Sequence, residues 1–329
     1  MKHYSESLVK ALAPAAPLFF IRNYRVEEPG EGMLADLTLN PLRPGNYREL
    51  WRIAKKLLQL RPAAIHLNSE SPPLLPLFPL LAFHNSAITL HDARPHAGER
   101  LSKRLFHWVH LGLVFLFIRK IIVHSEKIRA QLPALFRLKK VRVLPHINYR
   151  HWAAEERSST APPPPFVVLF FGRLLQYKGV EFLVEAFREL DPERFHLIIA
   201  GEGEMPSGAA RANTTLYPGF ISDEQMSALF QRAHAVALPY LAASQSGVAY
   251  MAFAFGKPVI ATRVGALPDV IREEENGLLI EPRSAPALKE AIERLAQSPL
   301  YERLAEGIQK QNLSSDEAIR HALLAIYAE

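Results

Sequence analysis

The sequence predicts two doubly wound α/β domains, each a parallel sheet covered by helices, and three observations support this. At 329 residues the chain has room for about two domains of roughly 150 residues each. Short apolar runs alternate with longer amphipathic stretches throughout, the βαβα rhythm of a parallel sheet. Between the halves, Arg150 to Pro165 reads RHWAAEERSSTAPPPP. Neither a helix nor a central strand accommodates such a run, which serves as a stiff spacer. The expected organisation is a first domain over residues 1–150, a proline-rich linker over 151–165, a second domain over 166–311, and a terminal helix over 312–329 that is able to pack on either domain, including back on the first.

The elements follow in order. Tyr4 to Ala13 reads as a helix, with no apolar strand and glycine loop ahead of it. The first strand of a doubly wound domain is usually central. Either the first sheet lacks that strand, or the polypeptide begins late relative to its parent gene; the late start is the favoured expectation. Strands are expected at Leu18–Ile21, Ala64–Leu67, Ala87–Leu90, Ile121–Val123 and Val141–Leu144. Tyr47 to Leu60 is a helix whose Leu50, Ile53, Ala54, Leu57 and Leu58 share a face. In the second domain the strands are Phe166–Phe171, His196–Ala200, Thr215–Tyr217, Ala235–Pro239, Val259–Ala261 and Gly277–Ile280. The last helix, Asp316 to Tyr327, follows a polar cap region and presents Ala318, Ile319, Ala322, Leu323 and Ile326 as one apolar stripe.

Composition narrows the function classes. No cysteine is present, which excludes disulfides, zinc-thiolate sites, iron–sulfur clusters and cysteine nucleophiles. The best apolar run, Leu111 to Ile118, is too short to span a bilayer and ends at Arg119-Lys120. The first residues lack the apolar core of a secretory signal, so a cytoplasmic location is the default. Residues 1–150 carry 23 Lys and Arg against 10 Asp and Glu, whereas residues 151–329 carry 16 against 23. A basic half suggests an anionic partner, such as phospholipid headgroups, a polyphosphate-bearing substrate or nucleic acid; the plain alternative is a solvated surface. Nucleic acid is the weakest of these, because the aromatic-basic interleaving of recognised modules is missing.

Two strand–loop–helix units stand out. In Phe166 to Val180, FVVLFFGRLLQYKGV, an apolar strand ends at Gly172 and a helix starts near Lys178-Gly179. Arg173 and Lys178 then lie at the mouth of the unit, where helix-terminal amides attract anions. Two separated cations suit a diphosphate, although a solvated loop with two surface cations explains the spacing equally well. In Ala235 to Thr262, a Ser244-Gln245-Ser246-Gly247 turn joins a strand to an apolar helix from about Val248 to Phe255. Ser246 occupies an N-cap position and Gly247 permits close backbone approach to a ligand.

From Ile65 to about Ala291, the chain resembles glycosyltransferase family 4, a group of retaining, nucleotide-sugar-dependent enzymes with the GT-B architecture of two Rossmann-like domains facing a cleft. The resemblance rests on Ala64-Ile-His-Leu, Thr89-Leu-His-Asp, Ile121-Ile-Val-His-Ser-Glu-Lys-Ile, Val143-Leu-Pro-His, Phe171-Gly-Arg with Lys178-Gly, Ala200-Gly-Glu-Gly, Pro218-Gly-Phe and the Ser-Gln-Ser-Gly-Val turn. It closes with Gly256-Lys-Pro-Val-Ile-Ala-Thr, Gly265, Leu267-Pro-Asp and Glu275-Asn-Gly-Leu-Leu. The family's glycine-rich first loop would just have ended at His3-Tyr4-Ser5-Glu6, in keeping with a late start.

The resemblance implies roles position by position. Arg173 and Lys178 match the basic pair that neutralises the departing donor diphosphate. The amides of Ser246, Gly247 and Val248 match the turn holding the distal phosphate, and Gly172, Gly201, Phe220 and Ile221 fall in matching donor-binding motifs. His91 matches the histidine that faces the sugar and acceptor. The implied partners are a nucleotide-diphosphate sugar, carried on UDP or GDP, and a cell-envelope glycan or lipid-linked acceptor. No cofactor and no metal are expected. His91-Asp92 with His96, and His107 with His110, look ligand-like, but no third ligand is spaced to help; for His124 and His146 a structural role and ligand contact are equally open.

Two departures matter. Many relatives carry glutamates eight positions apart around the turn, the second binding the donor ribose; here those positions are Ala243 and Met251. With the missing first strand, this sustains a rival reading, a non-catalytic GT-B scaffold or partner subunit. The segment from Lys103 through Trp108 and Leu111–Ile118 to Lys120 reads either as a buried helix or as one lying among lipid headgroups. Together with the proline-rich Pro72–Phe83 and the basic first half, it supports peripheral contact with anionic lipid at the inner face of the membrane.

Overall fold

The computed structural model describes residues 2–12, 20–22, 33–36, 45–68, 76–94, 101–147, 149, 153, 162–243, 246–311 and 315–329. Most of the proline-rich linker, His96, and residues 72–75, 244 and 245 lie outside these. The chain divides into two compact units. One comprises Met1–Pro95, Glu99–Ile147 and Ser314–Glu329, the other His96–Gly98 and Asn148–Leu313.

The first unit opens with α1 (Lys2–Leu12), β1 (Phe20–Arg22), β2 (Met33–Asp36) and α2 (Gly45–Leu60). It continues with β3 (Ile65–Asn68), α3 (Phe78–Leu81), β4 (Ser86–Thr89), α4 (Leu101–Phe117), β5 (Lys120–Val123), α5 (Glu126–Gln131) and β6 (Lys140–Val143). Strands β3-β4-β5-β6 form one parallel sheet in chain order, with Ile65 opposite Ser86, Ala87 opposite Lys120, and Ile121 opposite Val141. The strand expected at Leu18–Ile21 is instead β1, which pairs with β2 in a separate two-stranded sheet. β2 was not legible because MLAD is too short to display an alternation.

Adjacent residues along β4 and β5 face opposite sides of the sheet, and each side is covered. Ile88, Ile121 and Val123 pack with Phe78 and Leu81 of α3 and Leu111 and Val114 of α4. Ala87 and Ile122 pack with Leu8, Ala11 and Leu12 of α1. On α2, Leu50, Ile53 and Leu57 are buried, but Leu58 is exposed, so the apolar face is narrower than the sequence suggests.

The second unit contains β7 (Phe166–Phe171), α6 (Val180–Arg188), β8 (Phe195–Gly201), β9 (Thr214–Pro218), α7 (Asp223–Arg232) and β10 (Ala235–Leu238). It then runs through α8 (Gly247–Ala254), β11 (Val259–Thr262), α9 (Leu267–Val270), β12 (Gly277–Ile280), α10 (Ala285–Leu295) and α11 (Ser298–Lys310). The sheet order β12-β11-β10-β7-β8-β9 reverses direction between β7 and β10. In parallel α/β sheets, such a switch point opens a crevice at the carboxyl ends of the two strands. Capping sets helix starts: Ser222 and Gln225 form a reciprocal capping box on α7, and Ser284 caps α10.

The chain returns to the first unit with α12 (Asp316–Ala328). Ser315 caps it, and Ile319, Leu323 and Ile326 pack with Leu8, Ala11 and Leu12. Ala318, expected on that stripe, is exposed. Polar contacts seat the helix end: Arg320 donates to the Ala11 carbonyl at 2.7 Å, Lys120 to the Tyr327 carbonyl at 2.9 Å, and Arg142 grips both Glu329 oxygens.

Candidate functional site

The switch point of the second unit is built from the loops after β7 and β10. The first carries Gly172, Arg173, a single 3-10 turn over Gln176–Lys178, and Gly179. Gly179 adopts a left-handed conformation with φ of 63°, and a Cβ there would overlap the Pro239 carbonyl oxygen at the end of β10. Glycine is thus required where the two loops cross. Leu241 N–H donates to the Tyr177 carbonyl at 2.7 Å, a second tie between them. Nearby, Gly172 N–H bonds the Ala200 carbonyl at 2.9 Å and Gly219 N–H the Gly201 carbonyl at 3.0 Å, which joins the ends of β7, β8 and β9. A side chain at Gly201 would overlap the Gly172 backbone.

The side chains at this crossing form a chain of contacts. The Lys178 ammonium lies 3.6 Å from the centre of the Tyr240 ring. Tyr240 is fully buried, and its hydroxyl lies 3.3 Å from the Ser246 Oγ. Ser246 occupies the N-cap position of α8, yet its side chain makes no capping bond; it turns to Tyr240 instead. The first amides of α8, those of Gly247 and Val248, thus sit at the positive end of the helix dipole. Arg173 is exposed, and no carboxylate pairs with Arg173 or Lys178 among the described residues. Positive charge and amide donors accordingly gather around one switch point, an arrangement suited to an anion. Tyr240 escaped the sequence reading, although an aromatic residue just after Pro239 at a strand end was the available signal.

Other expected donor residues are less gathered. Phe220 is largely exposed after β9, and Ile221 packs on the core. Met251 is buried on α8 and Ala243 packs against the same core, so neither position offers a polar group.

His91 belongs to the first unit, just beyond β4. The structure places it with His124, just beyond β5, and His146, beyond β6. One ring nitrogen of each lies within 4.8 Å of the others, and the ring centres are 5.1 Å (His91–His124) and 4.8 Å (His124–His146) apart. Burial holds His91 and His146 well below the usual imidazole pKa and His124 at about 4, with the neighbouring His124 lowering the other two further. His107 and His110 are buried on α4, His110 edge-on to the Phe78 ring; no third ligand joins them among the described residues.

Comparison with known proteins bears on this arrangement. A family model described as "Glycosyl transferases group 1" matches residues 165–298, the stretch holding β7 to α10 and the whole switch point. The D-inositol 3-phosphate glycosyltransferase of Corynebacterium diphtheriae is 34% identical over 146 residues, which cover 39% of this chain and 34% of that protein. The chain spans about a third to two-fifths of the length of the curated relatives it matches. Among solved structures, sucrose-phosphate synthase from Thermosynechococcus elongatus superposes with a TM-score of 0.73 at 22% identity, covering 99% of this chain and 92% of that one. Anabaena HepE in complex with UDP-glucose superposes with a TM-score of 0.70 at 15% identity, covering 94% and 99%. With its two parallel-sheet units, the chain has the GT-B glycosyltransferase fold.

Proposed function

We propose that the protein is a retaining glycosyltransferase of family 4 that moves a sugar from a nucleotide-diphosphate donor to a cell-envelope glycan or lipid-linked acceptor. The observation that carries this reading is the switch point between β7 and β10, where Lys178, Tyr240 and Ser246 are linked beside the start of α8. Arg173 and Lys178 accept the diphosphate, with the amides of Gly247 and Val248 holding its distal phosphate. As the bond from the anomeric carbon to the diphosphate oxygen breaks, negative charge grows on that oxygen, and the two cations stabilise it without a metal. The acceptor hydroxyl oxygen bonds the anomeric carbon, and its proton leaves with the diphosphate. His91, neutral at physiological pH, serves the sugar and acceptor side as an imidazole. The UDP-glucose complex of HepE supports a nucleotide-sugar donor.

Peripheral attachment at the inner, anionic face of the membrane belongs to the same proposal. No helix among the described residues is long and apolar enough to cross a membrane. α4 nevertheless exposes Leu101, Leu105, Trp108 and Leu116 within a strongly basic half of the chain, a combination suited to headgroup contact.

A second reading, a non-catalytic GT-B scaffold, is favoured by Ala243 and the buried Met251, which leave the donor ribose without the family's carboxylate. Thermal denaturation with UDP, GDP and ADP tests the donor site. A nucleotide at a hundred times its dissociation constant adds about 2.7 kcal/mol, so one of the three should raise the melting temperature. No shift with any of them would contradict the reading, whereas binding without donor consumption would select the scaffold.

A further inference from the structure

We propose that His91, His124 and His146 form a binding site for a divalent transition metal of the zinc type, with Nδ1 of His91 and Nε2 of His124 and His146 as ligands. The three side chains come from the carboxyl ends of adjacent parallel strands β4, β5 and β6, and one nitrogen of each lies within 4.8 Å of the others. The hydrogen bonds at their other nitrogens fix the tautomers. His91 Nε2–H donates to Asn68 Oδ1 at 2.9 Å, His124 Nδ1–H to the Leu144 carbonyl at 3.0 Å, and His146 Nδ1–H to the Ile147 carbonyl at 3.0 Å. A carbonyl oxygen only accepts, so each ring donates there and carries its lone pair on the opposite nitrogen. The Asn68 amide is itself oriented, since its Nδ2 donates to Ser5 Oγ at 2.6 Å.

A ligating imidazole whose second N–H is held by an oxygen is the usual outer-shell arrangement of metal-bound histidine. Tetrahedral zinc at about 2.0–2.1 Å from nitrogen sets its ligands roughly 3.4 Å apart, so the three rings must close in from their present spacing of up to 4.8 Å to hold it. An all-imidazole set selects zinc, copper or nickel over magnesium or calcium. Three protein ligands leave a fourth position for water or an anion. The sequence gives no warning of this site, because the three histidines belong to three separate strand–helix units. Resting on the transferase reading in one respect, the site also has a consequence for activity: a bound ion engages His91, so it inhibits transfer rather than supporting it.

The test is a cobalt titration of the chelator-treated full chain, followed by visible absorption. One equivalent of Co²⁺ should develop ligand-field bands that Zn²⁺ abolishes. His124→Ala and His146→Ala, checked for folding by circular dichroism, should each weaken binding about tenfold or more. Should either variant not fold, imidazole nitrogen NMR of the parent chain with Zn²⁺ gives the same answer, with shifts expected at Nδ1 of His91 and Nε2 of the other two. No stoichiometric cobalt binding, unchanged affinity in both folded variants, or shifts confined to other histidines would each overturn the site. Cobalt binding is read without donor or acceptor, so its failure and a failure of the transferase reading are separate results.

Discussion

Lys178 is positioned by an aromatic face, and that choice preserves its charge for a ligand. A carboxylate partner would neutralise it, whereas stacking 3.6 Å above Tyr240 gains about 0.5–2 kcal/mol while leaving the ammonium's field intact. Arg173, exposed and without a carboxylate partner among the described residues, has little part in stability. Arg173→Ala is therefore expected to lower donor turnover about 10²- to 10³-fold with no loss of melting temperature, which steady-state kinetics and a thermal melt on the same sample will check. Gly179→Ala should behave in the opposite way. Left-handed backbone and overlap with the Pro239 carbonyl cost about 1–3 kcal/mol, read as a lower urea midpoint. His234 contributes to the pH dependence of the second unit. Burial, and then the charge of Lys257, lower its pKa from 6.5 to about 4, and its Nδ1 accepts from Val167 N–H at 2.8 Å. The unfolded chain binds this proton more readily, so stability rises with pH across that window and is lost as pH falls from about 6.5 to about 4. Solvent screening of a half-buried group reduces the effect to on the order of 1 kcal/mol. Urea unfolding at pH 7 and pH 5 should show a smaller acid loss in His234→Gln.

At the scale of elements, the strands were the most legible part of the sequence. β7 and β12 match their expected spans, and the other core strands differ by one residue at one or both ends, because strands buried on both faces read as unbroken apolar runs. Helices were legible as elements but less so as faces: Leu58 and Ala318 are exposed although the helical period assigns them to the buried stripes. Helices α10 and α11 follow the last motif and carried no functional signal to draw attention to them. α12 is an element whose importance is energetic. Leu323→Ala, which empties a site shared with Leu8 and Ala11, should destabilise the first unit by about 2–5 kcal/mol, visible in a denaturant melt. For α4, sequence offered a buried helix or one among lipid headgroups; the structure buries Leu111 and Val114 and leaves Leu105 and Trp108 exposed, and lipid contact remains part of the proposal. Replacing Leu105 and Trp108 together by serine should reduce flotation with anionic vesicles and leave the fold intact. Equal flotation of parent and variant would remove α4 from the membrane proposal.

For the molecule as a whole, the two units present different problems of legibility. The second unit's candidate site was readable because its parts lie in short local motifs, Arg173 to Gly179 and Ser246 to Val248, each a strand–loop–helix junction. What sequence could not supply was the strand order that brings β7 beside β10, nor the buried Tyr240 that joins the two motifs. In the first unit His91 was readable only by resemblance, while its association with His124 and His146 depends on three strand ends becoming neighbours. The central claim is that the cations at the switch point grip a departing diphosphate. Its most direct test is release of free nucleotide diphosphate from UDP-, GDP- and ADP-sugars by the purified chain, compared with Arg173→Ala and Lys178→Ala. The account predicts release from one donor class by the parent chain and a loss of about a hundredfold or more in each variant. Release that continues at the parental rate in both variants would contradict it.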